Sequence, residues 1–270
     1  MSSSLALGVI GIGNLGGALA EGALEAGAVA RVAAFDVAEE RLRELAGRIG
    51  PSFVPAGAAE VARQADVLVF AVKPHILPRA LAEARPALSP ACSVVSVAAG
   101  VQIGRIEAEL PDGWPVVRGM PNLAMLVGES ATAICANQCA TSDQVSQVES
   151  IFRSVGRVVR VEERQMHAVT GLTGSGPAYV SLIVEGLVAG AVKKGLQPAL
   201  AQELACQLLF GSAKLLLEKG LHPAVLKDQV STPGGTTIAG LQELESHAVR
   251  GALLAAVEAA SDRSEELAQD

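Results

Sequence analysis

Small residues and hydroxyls cluster late in the chain, in the segment Ser-Thr-Pro-Gly-Gly-Thr-Thr from Ser231 to Thr237. The segment stands before a helical pattern, so its backbone N–H groups are predicted at a helix N-terminus. Donors there are unpaired and the helix dipole is positive, which suits a small carboxylate. The segment therefore predicts a site for a small organic acid.

A glycine-rich loop near the start of the chain indicates what reacts with that acid. The loop has the spacing G-x-G-x-x-G and consists of Gly11, Ile12, Gly13, Asn14, Leu15 and Gly16. It follows a strand pattern and precedes a helix pattern, the context of a dinucleotide-binding turn. In such a turn Gly11 permits the bend, Gly13 lets a pyrophosphate approach, and Gly16 lets helix and strand pack closely. A turn with only a structural role is the alternative, and the context favours a cofactor.

Asp36 ends the second predicted strand, 20 residues after Gly16. A carboxylate at this place accepts hydrogen bonds from the ribose hydroxyls of NAD and repels the 2′-phosphate of NADP. The same residue is placed almost equally well to cap a helix predicted to begin near Ala38. Both interpretations stay open from the sequence.

Three further segments end strand patterns, where ligands bind in parallel sheets. They are Ala71-Val72-Lys73-Pro74, Ala98-Ala99-Gly100 and Met120-Pro121-Asn122. Lys73 is either a phosphate contact or a solvated charge, and His75 is either a proton donor or a surface residue. Asn122 is placed to face the nicotinamide side of a cofactor.

Residues with acid–base or metal-binding chemistry do not cluster. The four histidines are scattered, and the sequence contains no Ser/His/Asp order, no paired carboxylates and no set of metal ligands. Hydride transfer needs little side-chain chemistry when the substrate is already electrophilic, because the cofactor supplies the reactive group. A protonated imine is such a substrate, whereas a ketone normally needs a placed acid. We therefore expect hydride transfer without a metal.

The elements that position these residues change along the chain. Strand patterns alternate with helix patterns in the first part, which predicts right-handed βαβ units and a mostly parallel sheet with helices on both faces. The predicted strands are Leu5–Ile10, Val32–Phe35, Val67–Val72, Ser93–Ala98 and Pro115–Arg118, extended by Ala131–Cys135 and Arg157–Val161, and the first two helices are Asn14–Ala26 and Ala38–Ile49. The predicted nucleotide-binding domain is 1–162.

Residues 163–270 are predicted to form a helical domain. A small-residue loop, Gly171–Tyr179, opens its first long helix, with Ser175 as N-cap; a hinge between domains is the other interpretation. The predicted helices are 176–194, 198–219, 223–230, 236–245 and 249–268. Their apolar surface is large for so small a domain, so part of it is expected to be a subunit interface.

Composition excludes several classes of protein. The 270 residues carry a net charge of −7 and only 3% aromatics, which argues against nucleic-acid and anionic membrane partners. The first residues lack the basic start of a secretory signal, and the apolar stretch Ala178–Val192 is interrupted by Glu185 and too short to span a bilayer. The four cysteines form no CxxC and are expected to be reduced and mostly buried. We expect a soluble cytoplasmic protein.

The chain resembles the pyrroline-5-carboxylate reductase family over nearly its whole length. The resemblance is carried by the glycine loop, Ala71–His75, Ala98–Val101, Gly171–Tyr179, His222-Pro223, Leu226–Asp228 and Ser231–Thr237. It implies a Rossmann-type α/β domain plus an all-helical C-terminal dimerisation domain, in homodimers often assembled into decamers. It also implies reduction of Δ1-pyrroline-5-carboxylate, a cyclic imino acid, to L-proline by NADPH or NADH, the last step of proline biosynthesis.

The resemblance assigns roles to residues as well. Gly234, Gly235 and Thr236 would hold the substrate carboxylate through backbone N–H groups. Thr237 would be the catalytic residue and hydrogen-bond the ring nitrogen. Glu163 and Ser175 would lie beside the substrate. The cofactor would contact residues 11–16, Asp36, Ala71, Val72, Lys73, Pro74, Ala98, Ala99, Gly100, Asn122 and Gln229.

Two departures from the family pattern bear on the cofactor. Leu123-Ala124 stands where the family usually has Thr-Pro, and Asp36 stands where it often has a small polar residue. The carboxylate favours NADH and the resemblance favours NADPH, so the preference stays open. Two rival functions remain. A β-hydroxyacid dehydrogenase would have a Lys between Gly171 and Val192, which is missing, and a non-catalytic nucleotide sensor would not need the carboxylate loop.

Overall fold

A computed structural model describes residues 5–269. The described residues form two compact units, one of residues 5–175 with 258–269 and the other of residues 176–257. The predicted boundary after residue 162 lies earlier than this division. The reason is packing, because Met166 is fully buried in the core of the first unit and the Glu163 carboxylate accepts a hydrogen bond from Ile103 N.

The first unit contains one eight-stranded sheet in the order β3-β2-β1-β4-β5-β6-β7-β8. All neighbours are parallel except β6 and β7, which are antiparallel. The predicted mostly parallel sheet is confirmed, and both extending strands belong to it. The strands are β1 Ala6–Ile10, β2 Arg31–Phe35, β3 Phe53–Pro55, β4 Val67–Phe70, β5 Ser93–Ser96, β6 Val116–Met120, β7 Ser130–Ala136 and β8 Gly156–Arg160.

Strand side chains alternate between two apolar cores, one on each face of the sheet. Leu7 and Val9 of β1 belong to one core, and Ile10 belongs to the other. This alternation is the two-residue period of a strand, and burial of both faces explains the nearly unbroken apolar strands. The helices of this unit are α1 Asn14–Glu25, α2 Glu39–Ile49, α3 Ala58–Gln64, α4 Leu77–Ala84, α5 Ile103–Glu107, α6 Ser142–Arg153 and α7 Met166–Val169.

The second unit is helical throughout, as predicted, and its helix bounds lie within two residues of the predicted ones. Proline begins two of these helices and left-handed Gly220 ends one, which are strong local signals. Only Ala201 and Ala205 are buried within this unit. The helices are α8 Gly176–Lys193, α9 Pro198–Lys219, α10 Pro223–Gln229, α11 Thr236–Ser246 and α12 Val249–Gln269, whose last residues belong to the first unit.

Residues 163–175 are helical, so the prediction of a loop that opens a helix at Ser175 is wrong. A 3₁₀ turn, α7 and a π-helical turn at Thr170–Gly174 lead directly into α8. Ser175 has helical dihedral angles and is not an N-cap. The Thr173 hydroxyl donates to Val169 O at 3.0 Å, so it is used inside the helix.

The resulting helix, Glu163–Lys193, has 31 residues, and α9 has 22. By length and composition alone, both are long and apolar enough to cross a membrane. The prediction that this region is too short to span a bilayer is therefore wrong, because the helix extends well before Ala178. Its 18 most apolar residues have no buried member within the chain, so they present an apolar surface that requires cover.

Candidate active site

A groove of about 1590 Å³ lies in the first unit, where the strand order reverses between β1 and β4. This reversal is the place where open parallel sheets bind ligands. The carboxyl ends of β1, β2 and β4 to β6 contribute to it. Of the residues predicted to contact a cofactor, it brings together Gly11, Ile12, Gly13, Asn14, Leu15, Asp36, Ala71, Val72, Lys73, Pro74, Ala98, Ala99 and Asn122.

The glycine loop has the geometry of a phosphate-binding turn. Gly11 has a φ of +97°, and a Cβ there would lie 2.7 Å from Ala71 O. A Cβ on Gly16 would overlap the carbonyl oxygen of Gly11, which explains why Gly16 packs the helix and does not line the groove. A Cβ on Gly13, in contrast, would have no heavy atom within 4 Å. The backbone at the start of α1 is therefore open to a pyrophosphate, and the loop fits a dinucleotide.

Asp36 is held against this loop. Its Oδ2 accepts a hydrogen bond from Ile12 N at 2.6 Å and its Oδ1 accepts one from Ala38 N at 2.8 Å. The residue is 8% exposed, and Arg41 lies 3.7 Å from Oδ2. Ala38, not Asp36, is the N-cap of α2, so the capping interpretation is wrong. The carboxylate instead joins the glycine loop to the start of α2.

Asn122 follows β6 and is fixed by three hydrogen bonds. Its side-chain oxygen accepts from Ala124 N at 3.2 Å, its Nδ2 donates to Thr173 O at 3.1 Å, and its backbone N–H donates to the Ser130 hydroxyl at 3.2 Å. The wall of the groove is therefore tied to the π-helical turn. Leu123, in place of the family's Thr, is half-exposed here and makes this edge apolar.

Glu163 forms an ion pair with a buried arginine of β6. The guanidinium of Arg118 is 2% exposed and donates to Glu163 Oε1 at 3.3 Å. Ile103 N donates to the same oxygen at 2.7 Å. Burial and the Glu163 charge raise the pKa of the neighbouring Cys135 thiol to about 12, and Arg118 opposes that rise. The ion pair fixes one carboxylate oxygen of Glu163 and leaves Oε2 without a hydrogen-bond partner among residues 5–269.

The carboxylate loop predicted at Ser231–Thr237 lies in the second unit, and its last two residues form the start of α11. Gly235 is the N-cap, and Gly234 has a φ of +67° that favours glycine. Gly235 N donates to Thr232 O at 3.0 Å, so this donor is used within the loop. Among the described residues, the N–H groups of Gly234, Thr236 and Thr237 have no acceptor, as expected at a helix start.

Comparisons with known proteins identify the family. A family model described as pyrroline-5-carboxylate reductase dimerisation matches residues 163–267, and one described as NADP oxidoreductase, coenzyme F420-dependent, matches residues 6–100. A pyrroline-5-carboxylate reductase of Methanosarcina acetivorans is 41% identical over 263 residues, which cover 97% of this chain and 97% of that one. The chain belongs to the pyrroline-5-carboxylate reductase family. It is an oxidoreductase with a Rossmann-type domain and a helical region that matches the family's dimerisation domain.

Two solved structures show that this reductase shares its fold with relatives from distant organisms. A pyrroline-5-carboxylate reductase of Coxiella burnetii has a TM-score of 0.92 and 33% identity, and 99% of each chain is covered. A pyrroline carboxylate reductase of Plasmodium falciparum with NADP bound has a TM-score of 0.86 and 31% identity. It covers 99% of this chain and 100% of that one.

Some predicted contacts of the reductase do not line the groove. Gly100 has a φ of +80° and lies beside Leu267, and Gln229 ends α10 in the second unit. The sequence patterns did not predict other residues of the groove, among them Gly17, Ala18, Val37, Arg41, Leu126 and Val127. Of these, Arg41 had a detectable signal, because it is the first cation after Asp36.

Two of the four cysteines, Cys92 and Cys135, are buried, and Cys139 and Cys206 are exposed within the chain. The expectation of mostly buried thiols therefore holds for half of them. Among residues 5–269, no three His, Cys, Asp or Glu side chains are close enough together to hold a metal ion.

Proposed function

We propose that this chain reduces Δ1-pyrroline-5-carboxylate to L-proline with NAD(P)H, the last step of proline biosynthesis. The observation that carries the proposal is the 41% identity to a pyrroline-5-carboxylate reductase across 97% of both chains. Similarity of this extent includes both the dinucleotide groove and the loop before α11. A likeness confined to the Rossmann domain would have left the substrate undetermined.

The groove of the first unit holds the cofactor. The N–H groups at the start of α1 receive the pyrophosphate beside Gly13, and Asp36 lies at the ribose. Ala71 to Pro74, Ala98, Ala99 and Asn122 line the remainder, with Gly16 and Gly100 as packing residues. When bound, the reduced nicotinamide supplies a hydride. The exposed apolar side chains on the groove wall, Leu123 among them, keep water away from that region.

The loop before α11 holds the substrate carboxylate. Gly234, Gly235 and Thr236 surround it in this proposal. The donors are the N–H groups of Gly234, Thr236 and Thr237, since Gly235 N already donates to Thr232 O. The helix dipole of α11 adds favourable electrostatics for an anion. Fixing the carboxylate orients the ring, and orientation of this kind contributes orders of magnitude in rate.

Thr237 acts on the ring nitrogen. The iminium N–H donates to the Thr237 hydroxyl oxygen, which keeps the proton on nitrogen and the neighbouring carbon electrophilic. No further acid is needed, because the substrate arrives protonated. Glu163 and Ser175 complete the polar surroundings, and the negative charge of the Glu163 carboxylate favours the positively charged iminium.

Assembly and location complete the proposal. The chain forms a homodimer through its helical region, with decamers as the larger assembly. The match of residues 163–267 to a dimerisation model supports this, together with the exposed apolar helices of the second unit. Cover by a second copy, not by lipid, then explains the two long apolar helices. The protein works in the cytoplasm, without nucleic-acid or membrane partners.

The test is the loss of reduced-nicotinamide absorbance with Δ1-pyrroline-5-carboxylate, with proline quantified in parallel. Proline equal to the cofactor oxidised is expected with at least one of NADH and NADPH. A β-hydroxyacid and its oxidised cofactor serve as the control reaction. Turnover of the hydroxyacid alone, or no turnover by folded protein with either cofactor, would refute the proposal.

A further inference from the structure

We propose that this reductase selects NADH over NADPH and that Asp36 is the discriminating residue. The inference rests on the proposed function of the groove as the cofactor site. It deepens that function because neither the sequence nor the family determines the preference. Three observations carry it: the fixed carboxylate, the pairing of the neighbouring cations, and the exposure of Val37.

The Asp36 carboxylate cannot move aside. Backbone N–H groups of Ile12 and Ala38 each hold one of its oxygens, at 2.6 and 2.8 Å. Each oxygen keeps a second lone pair for a ribose hydroxyl. Hydrogen bonds to a charged acceptor are stronger than neutral ones. The carboxylate can therefore bind both the 2′- and the 3′-hydroxyl of the ribose. A 2′-phosphate would meet a buried, fixed negative charge instead.

Among residues 5–269, no unpaired cation of the groove lies at the end of β2 to receive that phosphate. Arg41 is paired with Asp36 at 3.7 Å, Arg48 with Glu21 at 3.2 Å, and Arg79 with Glu83 at 2.8 Å. Lys73 is the one cation of the groove without an ion pair among the described residues, and it follows β4 rather than β2. An NADP site normally places an arginine at the end of β2 in the absence of a competing carboxylate.

Val37 occupies the position after Asp36 and is 90% exposed. It lines the groove without a polar atom in its side chain. Enzymes that bind a phosphate at such a place use hydroxyl or basic side chains to satisfy its oxygens. The Val37 side chain can make apolar contact with the ribose but cannot donate a hydrogen bond to a phosphate. This agrees with the role of Asp36. The NADP bound in the Plasmodium falciparum structure is a property of that protein's groove and does not set the preference of this one.

Calorimetric titration of the folded protein with NADH and with NADPH, without substrate, tests the inference. We expect NADH to bind about tenfold to a hundredfold more tightly, the scale of hydrogen bonds to a charged group. Competition by 5′-AMP and by adenosine 2′,5′-bisphosphate assigns the difference to the ribose end. Tighter binding of NADPH than of NADH by the wild type would overturn the inference, even if proline is still formed.

Variants separate Asp36 from its surroundings. Asp36→Asn and Asp36→Ser should reduce the NADH preference to about threefold or less, with melting temperature as the check on folding. Glu40→Gln is the matched control, since it removes one negative charge from the start of α2, four residues after Asp36 and outside the groove, and the preference should persist. Arg41→Ala should keep the preference as well. An unchanged ratio in both folded Asp36 variants would refute the role of that residue. Absence of proline formation by the folded wild type with either cofactor would instead refute the proposed function.

Discussion

The two units of this reductase obtain stability in different ways. The first unit has an apolar core on each face of its sheet, and its largest buried side chains are fully enclosed. The second unit has two buried alanines and a surface of exposed leucines, among them Leu200, Leu204 and Leu208 at four-residue intervals on α9. Burial of apolar surface is the main favourable term in folding. We therefore expect the second unit to complete its apolar core with another copy of the chain.

The same difference applies to the two binding loops. The glycine loop is set by contacts within its own core, such as the approach of Gly16 to Gly11 O. The loop before α11 is largely exposed and rests on a helix without a core of its own. Cofactor binding should therefore survive loss of the assembly, whereas substrate binding should not.

The largest effect should come from introducing charge at the exposed leucines of α9. The double variant Leu204→Glu, Leu208→Glu changes side chains that are 52% and 56% exposed in the chain, so a monomer would tolerate it. In a dimer it buries unpaired charge. We expect monomers by sedimentation and at least about a hundredfold less proline formation, since each lost interface contact of this kind costs several kcal/mol. Val159→Glu, an exposed apolar position of the first unit, should change neither. A double variant that stays dimeric and active would contradict the expectation that α9 is covered by another copy.

Next in size is Gly16→Ala in the first unit. Its Cβ would overlap Gly11 O, and overpacking of this kind destabilises by about 1–3 kcal/mol. Urea unfolding would measure the loss. Gly47→Ala in α2 is the matched control, because nothing lies within 4 Å of its Cβ, and it should stabilise by about 0.5–1 kcal/mol. Equal stability of the two variants would contradict the close approach.

Thr237→Ala addresses the second loop without changing its fold. We expect kcat/KM for Δ1-pyrroline-5-carboxylate to fall about tenfold to a hundredfold, the scale of one hydrogen bond to a charged group, with NADH binding unchanged. Thr237→Ser keeps the hydroxyl and should retain most of the activity. If the alanine and serine variants have the same kcat/KM, the hydroxyl has no role in the reaction.

The smallest effect is expected at the cysteines of the first unit. Burial is the main cause that raises the pKa of both Cys92 and Cys135 to about 12, with Asp66 and Glu163 as further causes. At pH 8 about one such thiol in ten thousand is ionised, so iodoacetamide should label exposed Cys139 and spare both, by peptide mass mapping. Because these pKa values exceed the ordinary 9.0, unfolding should become easier as pH rises from 9 towards 12. Fast labelling of Cys92 at pH 8 would mean that the core opens locally.

Local signals account for what the sequence predicts well. Two helices of the second unit begin at Pro198 and Pro223, and the first of them ends at Gly220, so these bounds follow from single residues. β1 and β4 are short, nearly unbroken apolar runs, which are recognisable as buried strands. β3 has only three residues and ends in a proline, and α3, α4 and α5 have seven, eight and five residues, so their periodic patterns are weak. α6 was not predicted either, although it has 12 residues and begins with a capping box at Thr141.

The missed parts of the site depend on tertiary contacts. The π-helical turn at Thr170–Gly174 is joined to Asn122 through Thr173 O, a contact between residues 51 positions apart. Neither its helical character nor the loss of Ser175 as an N-cap can be read from a local pattern. The ion pair of Asp36 with Arg41 and the hydrogen bond from Gly235 N to Thr232 O likewise depend on the course of the backbone, which no local sequence pattern gives. Residue types therefore predicted the candidate binding loops, while geometry determined which of their donors are free.

The division of α12 between the units has a consequence for biosynthesis. Ser264 of this helix lies 3.0 Å from His167 Nδ1, and Leu267 lies beside Gly100, both within the first unit. On the ribosome, these residues are translated after residues 5–257. The nascent nucleotide-binding unit thus stays incomplete while the apolar helices of the second unit emerge. Exposed apolar surface promotes aggregation, so we expect a co-expressed chaperone to raise the yield of soluble protein.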